Sequence, residues 1–131
     1  MSDYQSTKNN PFLLPDTLYP RVIALIRDYH RLKDDYQEIL HDGGRRYSTI
    51  QPRSGNKKSD ETMHKAIRLS VVSDDLRAID QALVLVPHEY RSGIKDNIIH
   101  RMRYPDDADI STYKRWKQKF IYNVAVNKGY I

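Results

Sequence analysis

The sequence predicts an all-α fold, with two long antiparallel helices and a compact carboxy-terminal helical unit resembling a shortened helix-turn-helix. Three observations predict it. Apolar residues recur at spacings of three and four through most of the chain, and the one short stretch suited to a strand, 47–50, has no visible partner. Glycines and prolines fall between the periodic runs, at Gly43-Gly44, Pro87, Pro105 and Gly129. The 131 residues suit one domain, yet only 39% are hydrophobic against 30% charged. So modest a core suits a helical bundle with room for a partner chain to complete it.

Residues 1–15 read as a flexible leader, and 16–131 as a single helical domain. Asp16 or Thr17 caps the first helix, over 16–42, because its side-chain oxygen can accept from free first-turn amides. Val22, Leu25, Ile26, Tyr29, Leu32, Tyr36, Ile39 and Leu40 make one apolar stripe along it. Pro20 fits the first turn, where a missing amide is harmless. Gly43-Gly44 ends the helix. Residues 43–58 hold three glycines and a proline without periodicity, and read as a basic, mobile loop.

Ser59 or Asp60 opens a second helix over 59–86, with Met63, Ile67, Ser70, Val71, Leu76, Ile79, Ala82, Leu83 and Val86 on its buried side. The stripe slips near Ser73–Asp74, which predicts either a bend or two faces covered by different neighbours. Two such helices joined by one loop pair antiparallel, because neither buries its stripe alone. Pro87 ends the second helix or begins the next. Residues 87–131 form the third unit. A short helix from His88 carries Tyr90, Ile94, Ile98 and Met102 on one side. Ser111 caps a last helix that stops near Gly129. At 100° per residue, Tyr113, Trp116, Phe120 and Val124 share one arc of that helix, and Lys114, Arg115, Gln118, Lys119 and Tyr122 the opposite one.

Charge is unevenly spread. The net formal charge is +5, but residues 43–58 and 111–131 each hold five basic groups and no acidic one. Two positive blocks on a nearly neutral remainder favour a polyanion over a small acidic metabolite. Thr112, Lys114, Arg115, Gln118, Lys119 and Tyr122 are the expected DNA contacts of the last helix. Arg45, Arg46, Arg53, Lys57 and Lys58 are those of the loop, mainly to phosphate. Trp116 reads as core.

Other chemistry finds little support. With no cysteine there is no disulfide, thiolate zinc site or cysteine nucleophile. The five histidines are scattered, and residues 106–109 lack the glycine and closing glutamate of an EF-hand loop. The expectation is a non-enzyme without cofactor or metal. No apolar run approaches 18 residues, the longest being six, so neither a spanning helix nor a secretory signal is expected.

The pieces Leu85-Val86-Pro87-His88-Glu89-Tyr90-Arg91-Ser92-Gly93-Ile94, Arg103-Tyr104-Pro105, the run from Ser111 to Ala125, and Gly129-Tyr130-Ile131 resemble phage transcriptional regulators of the ArpU and RinA type from Gram-positive bacteria. Those are related in outline to sigma-factor region 4. The resemblance covers roughly residues 60–131. It implies a sequence-specific double-stranded DNA-binding regulator of phage genes, with Thr112, Lys114, Arg115 and Gln118 facing DNA and Trp116, Phe120 and Val124 as the anchor. The bacterial host cytoplasm is its implied location. One departure stands out: only residues 104–110 separate the two helices, with a proline and three aspartates among them. Either the middle helix has shrunk to a turn or the unit is not a true helix-turn-helix. The expected partners are double-stranded DNA and a second copy of the chain, a dimer first. The alternatives are a DNA-packaging component like a small terminase subunit, or a module binding host RNA polymerase or another host protein. No membrane partner is expected.

Overall fold

A computed structural model describes residues 5, 10–49 and 55–131, with side chains at 5, 10–41 and 60–131. Among the described residues the fold is all-α, with five helices packed on one another. These are α1 (Leu18–Arg27), α2 (Tyr29–Thr49), α3 (Gly55–Val84), α4 (His88–His100) and α5 (Ile110–Asn127). No helix among the described residues is long and apolar enough to cross a membrane.

The leader is not free from Asn10 onward. Leu14 is buried in the core, and the Gln5 side-chain amide brackets it, accepting from its N–H and donating to its carbonyl. Phe12 meets Tyr122 of α5 edge-on at 5.4 Å. The expected side-chain cap at Asp16 or Thr17 is replaced by a backbone acceptor. The Pro15 carbonyl receives the amides of Leu18 and Tyr19 at 2.9 and 3.1 Å. Pro20 is the third helical residue, where no intrahelical bond is lost.

The first long helix is two helices, divided at Asp28, which leaves α-helical geometry with φ −81° and ψ 1°. The stripe survives the break. Val22, Ile23, Ile26, Tyr29 and Leu32 are buried in the common core, so periodicity located the face but not the joint. At the other end, the expected loop over 43–58 is mostly helical backbone: α2 runs through Gly43-Gly44 to Thr49, and α3 begins at Gly55. Adjacent glycines cost about 1 kcal/mol each relative to alanine in a helix, yet the helical backbone continues through both. Residues 50–54 lie outside the described ones, Arg53 among them. Ser59 and Asp60, the expected caps, stand inside α3.

α3 is central. Tyr29 at the start of α2 donates its hydroxyl to Asp80 near the end of α3 at 2.7 Å, so α2 runs back along α3. α5 covers a second face. Asn127 Nδ2 donates to the Ala78 carbonyl at 3.0 Å, and the Lys128 ammonium binds Asp74 and Asp75 at 3.1 and 2.5 Å. The helix runs unbroken through the slip of the stripe at Ser73–Asp74. The slip marks where a second neighbour joins a continuous helix. Ile79, Ala82 and Val86 are buried as expected, and Leu76 partly so. Met63, Ile67 and Val71 are not: they are 58, 55 and 55% exposed, because α5 stops short of them. Leu40 on α2 is 45% exposed.

The turn from α3 to α4 is closed by Arg91, whose guanidinium donates to the Val86 and Val84 carbonyls at 2.8 and 3.0 Å. Those acceptors would otherwise be orphaned at the end of α3. Pro87, with φ −53° and ψ 139°, stands before the first residue of α4. Met102, expected on the packed side of α4, is exposed beyond its end. The expected Ser111 cap is also displaced, since α5 begins at Ile110 with Asp109 before it.

Candidate nucleic-acid interface

The route from α4 into α5 shapes the surface that carries the basic residues. Arg101 ends α4 in the left-handed region, at φ 55°, and the Met102 N–H returns to the Asp96 carbonyl at 3.3 Å. Asn97, 1% exposed, donates to the Met102 carbonyl at 2.7 Å and accepts from the Lys117 ammonium at 2.8 Å. It thereby fixes the departing chain and a lysine of α5 together. Pro105 then packs against Gly93, with no room for a larger residue there: an added Cβ would sit 2.8 Å from both Pro105 Cδ and Tyr113 Cε1. Tyr104 stacks on Tyr113 at 5.2 Å, Tyr90 meets its edge at 5.2 Å, and the Tyr113 hydroxyl donates to Asp107. Burial first, then the Asp107 carboxylate, pushes the Tyr113 phenol up to about 12. Tyr104 is likewise pushed up to about 12, mainly by burial.

These contacts leave nine residues, 101–109, between the helices, well beyond the three or four of a standard helix-turn-helix turn. No helix forms within them. They curl beside the start of α5 and leave an open groove of about 1150 Å³. Arg103, Ser111, Lys114, Lys117 and Gln118 line it, with Tyr104, Ile121 and Phe12 as apolar wall. Asp106 and Asp109 line it too. The first amides of α5 have no side-chain cap, so the helix presents its positive dipole end here. Two carboxylates temper that field; three cationic side chains exceed them.

The expected DNA-facing cluster is divided by this geometry. Lys114 and Gln118 border the groove, whereas Arg115 is exposed on the outer face and does not line it. Lys119 is half-buried, its ammonium 5.2 Å from the Trp116 ring centroid. Trp116 is half-buried against the core rather than enclosed by it. Thr112 is half-buried one turn earlier, and Tyr122 packs on Phe12. Tyr113, Phe120, Ile121, Val124 and Ala125 are the true buried face of α5. Arg45, Arg46, Lys57 and Lys58 lie on described backbone, but their side chains, like all of Arg53, are outside the described residues.

Arg103 and Lys117 are the groove residues that sequence reasoning passed over. Lys117 was recoverable, since it stands three residues after Lys114 and so on the same side of the helix. Arg103 had no local signal; its place depends on the turn through Arg101 and Pro105. Among the described residues no group of three or more histidine, aspartate or glutamate side chains could hold a metal ion. Compared with models of protein families, with curated proteins and with solved structures, the chain matches none.

Proposed function

We propose that the protein binds double-stranded DNA through the amino-terminal half of α5. The observation that carries this reading is the concentration of cationic and amide donors there. Lys114 and Arg115 are exposed, Lys117 and Arg103 line the adjoining groove, and α5 contains no acidic residue. Phosphate oxygens are the acceptors that such donors suit, and the positive dipole end of the helix adds to them. Lys114 and Gln118 on the groove side and Arg115 on the outer side would then straddle one strand. Arg115 is the group best suited to a base edge, because a guanidinium can bind guanine in a bidentate manner.

The fit to a helix-turn-helix is partial. α4 and α5 pack together as scaffold and recognition helices would, and the long connection at 101–109 takes the place of the short turn. The likeness of residues 60–131 to ArpU- and RinA-type regulators narrows the proposal to control of phage genes.

The test is duplex binding at two salt concentrations for wild type and for Lys114→Ala with Arg115→Ala. Both residues are exposed, so the fold is expected to persist. Affinity should fall, and the log–log salt slope should drop by up to about 2, since each neutralised phosphate contributes roughly 0.9. Unchanged affinity and slope in a folded variant refute the reading.

A further inference from the structure

We infer that the groove between the leader, the 101–109 connection and α5 is a binding site for a ribonucleoside monophosphate, a ligand that duplex binding does not account for. Phosphate contacts use the cations of the groove and leave its aromatic wall and its two carboxylates without a role. Phe12 and Tyr104 are half-buried rings of that wall. Each is fixed by a neighbour. Tyr104 stacks on Tyr113 at 5.2 Å; Phe12 meets Tyr122 edge-on at 5.4 Å and donates its N–H to Asn10 Oδ1 at 2.9 Å. Rings held in this way are surfaces on which a flat base can stack with little further ordering. At about 1150 Å³ the groove is large enough for such a ligand, since small-molecule sites span roughly 300–1,000 Å³.

The polar lining divides into donors and acceptors that do not satisfy one another. Arg103, Ser111, Lys114 and Gln118 supply donors, and Asp106 and Asp109 are acceptors. Among the described residues none of these six side chains has an ion-pair or hydrogen-bond partner, although all line one groove. Lys117 adds a third cation in a fixed place, its ammonium 2.8 Å from Oδ1 of Asn97, which is 1% exposed. A ribonucleotide matches both halves of this lining. Its phosphate accepts from Arg103, Lys114 and Ser111, and its ribose hydroxyls donate to the carboxylates. Its base stacks on the aromatic wall, with the Gln118 carboxamide as a partner for the base edge. Three cations against two carboxylates keep the groove net positive, as an anionic ligand requires. The carboxylates also favour a free ribonucleotide over a DNA strand, whose sugars lack the 2′-hydroxyl donor.

Isothermal titration with the 5′-monophosphates of adenosine, guanosine, cytidine and uridine tests this, with inorganic phosphate and the bare nucleosides as partial ligands. At least one nucleotide should bind saturably at or below millimolar concentration, and about tenfold or more tighter than either of its parts. Its 2′-deoxy form should bind about tenfold or more weakly, because a hydrogen bond to a carboxylate is lost. Phe12→Ala should weaken the nucleotide about five- to a hundredfold while leaving inorganic phosphate unaffected. Arg103→Ala, at an exposed position, should weaken both, and Asp106→Asn with Asp109→Asn should erase the preference for ribose. If Phe12→Ala alters the circular dichroism, the other two variants decide. No binding of any of the four nucleotides at millimolar concentration overturns the inference. So does inorganic phosphate binding as tightly as the nucleotides, or equal affinity for ribo and deoxy forms. A single-stranded oligodeoxynucleotide that binds where the ribonucleotides fail assigns the groove to DNA and overturns it too. Nucleotides are titrated without DNA, and the salt slope of the Lys114 and Arg115 variant is read without nucleotide, so neither result decides the other.

Discussion

Tyr113 ties three parts of the chain to one side chain: the 101–109 connection through Tyr104 and Asp107, α4 through Tyr90 and Gly93, and α5 through its own backbone. Gly93→Ala is therefore expected to destabilise by about 1–3 kcal/mol, because the new methyl meets Pro105 and the Tyr113 ring and neither can withdraw without moving backbone or a packed aromatic. A lower melting temperature by circular dichroism checks it; an unchanged one means that Pro105 shifts freely. The same tyrosines set an alkaline limit. Folded phenols at about 12 stand above the ordinary value of 10, so the neutral form is favoured by the fold. Their stabilisation is complete below pH 10 and is lost as pH rises from 10 towards 12. Lys128 acts in the same sense. Burial lowers its pKa, but the hydrogen bonds to Asp75 and Asp74 outweigh this and raise it overall. Denaturant midpoints should fall steeply across that window, and less steeply for Tyr113→Phe. A flat profile to pH 12 contradicts the assignment.

At the scale of elements, the leader and α5 behave differently from their sequence signatures. Residues 10–15 look like an unstructured approach to the first helix, yet Leu14 is 2% exposed. Leu14→Ala should cost about 2–4 kcal/mol in chemical denaturation, as for other buried leucines. A loss under half a kcal/mol, as is usual for surface changes, would show that the leader does not pack in solution. α5 divides its cations between two sides, and the division predicts distinct phenotypes. Lys114→Ala removes a groove cation and should weaken binding to all duplexes alike. Arg115→Ala removes an outer-face guanidinium and, if it reads a guanine, should relax preference at one base position by roughly 1–3 kcal/mol. Binding selections on randomised duplexes separate the two. Equal, sequence-independent losses would make both residues phosphate contacts.

For the whole molecule, the core is one continuous cluster to which α1, α2, α3, α4, α5 and the leader all contribute. Ile26 is fully buried at its centre. Ile26→Asp should abolish cooperative unfolding at room temperature, because a carboxylate there has no partner and burying it unpaired costs several kcal/mol. Retention of a native melting curve would remove Ile26 from the core. Residues 60–72 of α3, by contrast, should open more readily than 76–86, since Met63, Ile67 and Val71 are exposed where Ile79, Ala82 and Val86 are buried, and hydrogen exchange should be faster there.

Periodicity, which is a local property, was enough to specify helices and most of the inward faces. Val22, Ile26, Ile79, Ile94, Ile98, Phe120 and Val124 stand where spacing alone puts them. The two basic blocks, and the candidate cations of α5, were equally legible because charge is additive along the chain. Three things needed the tertiary structure. Helix ends did, since Gly43-Gly44 and Asp28 have propensities that packing can override in either direction. Whether an apolar stripe is covered also did: Met63, Ile67 and Val71 have the same pattern as Ile79 and Val86, and only the stopping point of α5 separates them. The groove was the third, because Arg103, Lys114 and Lys117 come together through the contact of Pro105 with Gly93 and the bond from Lys117 to Asn97. Spacing specifies which way a residue faces on its own helix; what it meets there is set by segments distant in sequence.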